Sequence, residues 1–406
     1  MEKLKCKLCK KREAEVELSL QKIKVCKECF CDFFERRIKK TIEKYRMFSP
    51  KDKVGVCVSG GKDSTTLLVV LKKLCPDLNL TAIHINLGIG YFSDTNQKTV
   101  KEICEKYDTP LFLYELKKEE GFSIDEFVFT RFKNKICSVC GVVKRYLFSK
   151  IAKKLKINVL ATGHHLDDIL SVMLNLFFQG DFESITKLRP VLKPILPGQA
   201  KKIKPLCTTP EKDIVTYVNL EKLPIEKENC PHQELTPAKK LKGLLEDLQK
   251  ENKYIKSQLF SVFNKKLIPL FLTHPKYKKR EKIEICQKCK EITTSFEKIC
   301  SFCKRVEILN KIPERKLKID FKEFLERFKN LKEEFLILDL TKKENEELLK
   351  SVKRKIFKKL KKFKHKPIGI FHPNEKEGYF FNLKLRKLGF YSFLLLNYPT
   401  EENKNQ

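Results

Sequence analysis

The residues able to do chemistry in this chain fall into two groups: one glycine-rich basic hexapeptide, and cysteines paired two residues apart. The hexapeptide is Ser59-Gly60-Gly61-Lys62-Asp63-Ser64, preceded by Val54-Gly55-Val56-Cys57-Val58 and followed by the apolar run Leu67 to Leu71. Gly60 and Gly61 permit backbone torsions closed to other residues and let the main chain approach a ligand closely. Lys62 brings positive charge, and Ser59 and Ser64 bring hydroxyls. Backbone N–H groups of such a turn, at the start of a helix, form a ready site for an anion. The spacing is not the Gly-x-x-x-x-Gly-Lys-Ser/Thr of ordinary nucleotide triphosphatases. The bland alternative is a strand–turn–helix joint without a ligand.

The sixteen cysteines divide by spacing. Cys6-x-x-Cys9 with Cys26-x-x-Cys29, and Cys286-x-x-Cys289 with Cys300-x-x-Cys303, each fit a closed, structural four-thiolate zinc site. Cys31 lies close enough to Cys29 to compete for the fourth place in the first set. A strand hairpin is expected to join the two halves of the second. Cys137-x-x-Cys140 has no second pair nearby, and Cys230 stands alone far downstream. Three thiolates from two places can hold an iron–sulfur cluster with one iron left for an external ligand. They can equally be a reactive dithiol with a resolving thiol, a further zinc site, or inert. Cys57, Cys75, Cys104 and Cys207 lack partners and read as small core residues.

The elements that must position these groups alternate. Strands are expected at Val54–Val58, Leu80–Ile85, Pro110–Tyr114 and Ile157–Ala161, with helices at Ser64–Leu74 and Lys98–Tyr107. Such alternation predicts an α/β fold with a parallel sheet between helices. Ligands of these sheets sit beyond the carboxyl ends of the strands. The fourth strand runs into Gly163-His164-His165-Leu166-Asp167-Asp168. Gly163 leaves room there, and Asp167 and Asp168 could hold magnesium or simply cap a helix. His164 and His165 read as lining residues. Helices are further expected at 33–45, Glu211–Leu220, Lys239–Phe263 and Lys342–Lys364, with strands at Phe335–Leu340, Pro367–Phe371 and Phe390–Tyr398. Lys201 to Leu206 reads as an exposed basic edge.

The formal net charge of +34 over 406 residues points to a long polyanion as partner, because each phosphate contact releases counterions. No apolar run approaches a membrane span, and the N-terminus lacks a signal-peptide core, so a cytoplasmic, membrane-free protein is expected. Thiols in a reducing compartment imply metal or catalysis rather than disulfides.

Taken in order, these motifs resemble the TtuA-type tRNA 2-thiouridine synthetases, a PP-loop family of N-type ATP pyrophosphatases. The resemblance covers about residues 1 to 305. It rests on the leading cysteine knuckles, Ser59 to Ser64, His84-Ile85-Asn86-Leu87-Gly88-Ile89-Gly90, Cys137-Ser138-Val139-Cys140-Gly141 with Lys144-Arg145-Tyr146, Gly163 to Asp168, Cys230-Pro231, and the trailing knuckles. It implies ATP-dependent replacement of uridine O2 in tRNA by sulfur. Ser59, Gly60, Gly61, Lys62, Asp63 and Ser64 would bind ATP, with Cys57 and Ile85 near the adenosine and Lys144, Gly163 and Asp168 completing the site. Magnesium would accompany the phosphates, and Asp63 would serve catalysis. Cys137, Cys140 and Cys230 would ligate a [4Fe–4S] cluster that takes up sulfide. A ubiquitin-like sulfur-carrier protein as donor and a homodimer are also implied. Relatives often place histidine where Cys29 stands, and zinc accepts either.

Four modules are expected: an N-terminal zinc finger (1–32), an ATP-binding catalytic domain (33–270), a second zinc finger (271–305) and an α/β extension (306–406). A composition rich in Lys and Glu suits a heat-adapted source and favours uridine 54, where sulfur stiffens the T-loop, over wobble uridine 34. A non-sulfur adenylating enzyme of tRNA, and a non-catalytic RNA-binding scaffold, are the competing readings.

Overall fold

The computed structural model describes residues 4–196, 198–233, 237–274, 283–329, 336–340, 345, 356, 359–363 and 366–398. Two short hairpin strands, β1 (Val16–Leu18) and β2 (Ile23–Val25), precede the main sheet. That sheet contains β3 (Lys53–Cys57), β4 (Asn79–Asn86), β5 (Leu111–Glu115), β6 (Val159–Ala161), β7 (Val191–Leu192) and β8 (Lys201–Ile203). Their order is β5-β4-β3-β6-β8-β7, parallel throughout except for the antiparallel β7–β8 pair.

Successive side chains of a strand point to opposite faces, and the two faces have separate cores. Val54, Val56 and Val58 join Leu80 and Ala82 in one core, whereas Ile83 and Ile85 belong to the other. The first core also takes in Cys6, Leu18, Val25, Phe30 and Phe34 of the N-terminal segment, with Phe34 stacked on Tyr217 at 4.4 Å. The second takes in the helix Ile136–Lys154 and Cys286, Cys300, Phe302 and Cys303, with Phe302 stacked on Tyr146 at 3.9 Å. The cysteine knuckles are therefore continuous with the cores on either side of the sheet.

Beyond the knuckle strands β9 (Glu284–Ile285) and β10 (Ile292–Thr293), a second sheet holds β11 (Lys318–Asp320), β12 (Leu336–Asp339), β13 (Pro367–Phe371) and β14 (Tyr391–Leu396). Its order is β11-β14-β13-β12, all parallel. This extension has small cores of its own around Ile368 and Phe393. Leu317, Tyr379, Leu383 and Leu394 instead join the second core of the main sheet.

Several expectations shift. The helix expected from Phe33 begins at Lys27, and that expected at Lys98 begins at Gly90. The long helix expected over Lys239–Phe263 is broken into Pro237–Glu251 and Ile255–Val262. The exposed basic edge at Lys201–Leu206 is instead strand β8 and its continuation, with Lys204 buried. Its ammonium donates to the carbonyls of Arg189 at 2.7 Å and Lys187 at 3.3 Å. The helix Glu375–Leu388 was not anticipated. Most of the helix expected at Lys342–Lys364 lies outside the described residues, as does the polar tail 401–406.

Candidate active site

β3 ends at Cys57, and the helix Lys62–Leu74 opens right after the glycine turn, so backbone N–H groups of the loop and first turn converge. Ser64 Oγ accepts the Ser59 N–H at 3.0 Å, lies 3.1 Å from Ser59 Oγ and donates to the Gly61 carbonyl at 3.2 Å. These bonds hold the loop as a closed cup. Gly60 has φ +85°, and a Cβ on it would lie 2.5 Å from Asn96 Oδ1. Both its torsion and its neighbour therefore require glycine. Gly163, at the end of β6, packs directly on the Asp63–Ser64 peptide.

Charged side chains surround the cup. Lys62 Nζ pairs with Glu211 at 2.8 Å and with Asp63 at 3.2 Å. His165 caps the helix Leu166–Phe178, its Nδ1 accepting the Asp168 N–H at 3.4 Å. That leaves Nε2 to carry the proton, 3.1 Å from Asp168 Oδ2 and 3.8 Å from Asp63 Oδ1. Burial raises the Asp63 carboxyl, with His165 and Lys62 opposing the rise. For Glu211 burial works in the same direction, but Lys242 and Lys62 outweigh it and bring the group down to about 2. Lys242, from the helix Pro237–Glu251, bridges Glu211 and Asp168, the latter at 3.4 Å.

The two adjacent aspartates have different surroundings. Asp167 is buried; its Oδ2 accepts the Glu211 N–H at 2.7 Å, and its Oδ1 holds the Lys256 ammonium. Asp168 is half-buried and faces the cup. Asp167 therefore ties two helices to the strand end, and Asp168 is the carboxylate available to a ligand.

On the other side of the strand ends, Cys137 and Cys140 occupy the first turns of the helix Ile136–Lys154. Spacing of three places both on one helix face. Cys230 lies within electrostatic reach of both. Burial pushes the Cys230 thiol up to about 11, and its neighbours Cys140, Cys137 and Asp125 add to the rise. Burial likewise raises the Cys140 thiol, against the pull of Lys144 and Arg145. Lys144 also faces Cys57, whose thiol burial pushes up to about 12. Ile85 is buried at the end of β4. Hence Cys57, at the end of β3 beside the cup, shares a core with Cys140 and Cys230.

Cys6, Cys9, Cys26 and Cys29 bring their sulfurs within 4.8 Å of one another, and so do Cys286, Cys289, Cys300 and Cys303. Cys31 stands outside the first set, its thiol donating to Glu221 at 3.7 Å. The β9–β10 hairpin encloses the Cys286–Cys289 knuckle, and Cys300 caps the helix Ser301–Asn310. It does not bridge the knuckles as expected, because the helix N-terminus delivers the second pair.

Three groups escaped the sequence reading: Glu211, Lys242 and the capping role of His165. Glu211 and Lys242 have no local motif and reach the cup from separate helices, whereas His165 acts within the Gly163–Asp168 stretch through its bond to the Asp168 N–H. A groove of about 670 Å³ lies apart from the cup, beside the first knuckle. Arg36, Arg37, Lys40 and Lys44 line it; Arg37 pairs with Asp213 at 2.6 Å and Arg36 with Asp32, so Lys40 and Lys44 carry most of its net positive charge.

Residues 32–230 match the PP-loop domain family. The tRNA-5-methyluridine(54) 2-sulfurtransferase of Pyrococcus horikoshii is 34% identical over 304 residues, covering 74% of this chain and 93% of the relative. The enzyme of the same name from Thermus thermophilus is 29% identical, covering 80% and 99%. Among solved structures, the U34-tRNA thiolase NcsA from Methanococcus maripaludis with its [4Fe–4S] cluster superposes with a TM-score of 0.58 at 28% identity. That match covers 66% of this chain and 89% of the other.

Proposed function

The chain belongs to the PP-loop tRNA 2-sulfurtransferases, and on that footing we propose that it activates O2 of tRNA uridine 54 with ATP and replaces that oxygen by sulfur. Uridine O2 is a poor leaving group. Attack of O2 on the α-phosphate forms an O–P bond and expels pyrophosphate. Sulfur then bonds to C2, and the oxygen departs in AMP.

The N–H groups of Ser59 to Ser64 are suited to the pyrophosphate. Lys62, now paired with Glu211 and Asp63, would exchange those partners for phosphate oxygens. Lys144 would add positive charge where negative charge develops. Asp63 and Asp168 are the carboxylates placed to hold magnesium. Asp63 Oδ1 is buried without a hydrogen-bond partner, as an open ligand position requires. A magnesium ion there would supply further charge neutralisation. Cys57, Ile85 and Gly163 would shape the rest of the nucleotide site.

The donor set of Cys137, Cys140 and Cys230 fits a [4Fe–4S] cluster: three soft thiolates from two segments, with Cys140 and Cys230 against one core and the Cys137 thiol on the His232 carbonyl. Such a cluster would supply an iron with an open position able to present sulfide as a nucleophile. The two tetracysteine sets suit zinc in structural sites. The tRNA would use the basic groove of Arg36, Lys40 and Lys44. A ubiquitin-like carrier as sulfur donor, a dimeric assembly and module boundaries at 32, 270 and 305 complete the reading.

The observation that carries it is that Cys140 and Cys230 pack against the same core as Cys57, which ends β3 just before the loop Ser59 to Ser64, with the Cys137 thiol on the His232 carbonyl. The test is anaerobic reconstitution with iron and sulfide, followed by thiolation of tRNA and mass-spectrometric mapping of the sulfur. Sulfur at position 54 in a reaction needing ATP and iron is expected; sulfur transfer by iron-free protein would overturn the cluster assignment. Similarity to a U34 thiolase supports the second reading, position 34, which the same mapping distinguishes.

A further inference from the structure

The extension after residue 306 does more than pack against the main sheet. Its helix Glu375–Leu388 presents Lys376, Tyr379 and Lys387 along one side, at spacings of three and eight residues that return to the same face. Two of them engage the segment that carries Cys230 directly, and Tyr379 reaches it through Asp125. Lys376 pairs with Glu228. Lys387 Nζ donates to the Pro231 carbonyl at 3.1 Å. Tyr379 Oη donates at 2.6 Å to Oδ2 of Asp125, whose Oδ1 contacts His232 Nε2.

Asp125 and His232 are both almost completely buried. A carboxylate in such a place is tolerated only with its oxygens occupied by donors, and Tyr379 and His232 supply one each. The Cys230 turn is itself closed by the Gln233 N–H on the Cys230 carbonyl at 2.9 Å. The carbonyl of His232 accepts the Cys137 thiol at 3.1 Å. A hydrogen-bonded path thus runs from the extension, through Asp125 and His232, to Cys137, and His232 itself lies two residues along the chain from Cys230.

We propose that Tyr379 is a positioning residue for the cysteine trio: through Asp125 and His232 the C-terminal extension clamps the Cys230 turn in the place where its thiolate completes the three-cysteine set. This rests on the reading of Cys137, Cys140 and Cys230 as cluster ligands. The clamp itself is a property of the protein without iron and can be measured there.

The test uses full-length Tyr379→Phe, which keeps the ring and removes only the hydroxyl, with Lys387→Met as a second variant. Iron-free protein is treated with iodoacetamide, and Cys230 alkylation is timed by peptide mass spectrometry. Loss of one hydrogen bond to a buried charged group is worth roughly tenfold in a local opening equilibrium. Cys230 should therefore react roughly tenfold faster in Tyr379→Phe, with nucleotide binding and zinc content unchanged. An unaltered alkylation rate in both variants would overturn the clamp. The same proteins are then reconstituted anaerobically. Faster cluster loss to chelator and an altered paramagnetic resonance spectrum are expected for the variants, and neither would follow from a merely distant packing role. Wild-type protein that takes up no iron would remove the cluster reading, while the alkylation rates still decide the clamp.

Discussion

Gly163 lies so close to Ser64 that a Cβ on it would sit 2.9 Å from the Ser64 backbone nitrogen and 3.0 Å from the Asp63 carbonyl carbon. The neighbours it would strike are main chain of the anion-binding loop, which cannot rotate away. Gly163→Ala should therefore displace the loop at a cost of about 1–3 kcal/mol, the usual scale of overpacking. Calorimetric titration with a non-hydrolysable ATP analogue should show affinity weakened by about tenfold or more; an unchanged dissociation constant would contradict the close packing.

Asp63 faces the cup with one carboxylate oxygen that accepts no hydrogen bond. Asp63→Asn should lower tRNA-dependent AMP formation by about 10²–10³-fold, the scale of losing one preorganised electrostatic contact to a transition state. Filter binding should find tRNA affinity intact, since the basic groove lies elsewhere.

Glu211 is held down to about 2 against an ordinary 4.5. The folded state thus favours its ionised form. The stabilisation is fully present above about pH 4.5 and is lost as pH falls towards about 2. Denaturant unfolding of wild type and Glu211→Gln should give a stability gap near neutrality that closes progressively across that window. A gap independent of pH would dissociate Glu211 from Lys62 and Lys242.

Metal content should separate the three cysteine sites. Cys230→Ser is expected to lose iron on reconstitution while keeping its zinc. Cys26→Ser should lose zinc from one site and unfold more readily, because Cys26 is fully buried in the core shared with β3. Elemental analysis beside thermal unfolding checks both; iron retained by Cys230→Ser would exclude that residue as a ligand.

The groove formed by Arg36, Arg37, Lys40 and Lys44 predicts a salt signature. For each phosphate contact removed, the slope of log affinity for tRNA against log salt should become shallower by about 0.7–0.9. Lys40→Ala should show this without loss of nucleotide binding, and an unaltered slope would place the tRNA on another face.

Much of the site was legible because its chemistry is local. The strand, glycine turn and helix at 53–74 are consecutive, and cysteines three apart share a ligand geometry whatever surrounds them. Val54, Val56 and Val58, β-branched and alternating, mark β3 for the same reason. Strand β8 was not legible: Lys202 and Lys204 look like solvent-facing charge until carbonyls from the 187–189 segment satisfy the Lys204 amine.

By itself, then, the sequence determined the loop, the metal-type knuckles and the alternation that makes a parallel sheet, since each depends on neighbours within a few residues. Only the tertiary structure decided that Cys29 rather than Cys31 closes the first set, that Lys242 and Glu211 reach the nucleotide cup, and that Tyr379 reaches Asp125 across 254 residues of chain. Such contacts have no periodicity to betray them. They exist because burying a carboxylate or an ammonium demands a partner, and which partner arrives depends on how helices from distant segments pack onto the two faces of one sheet.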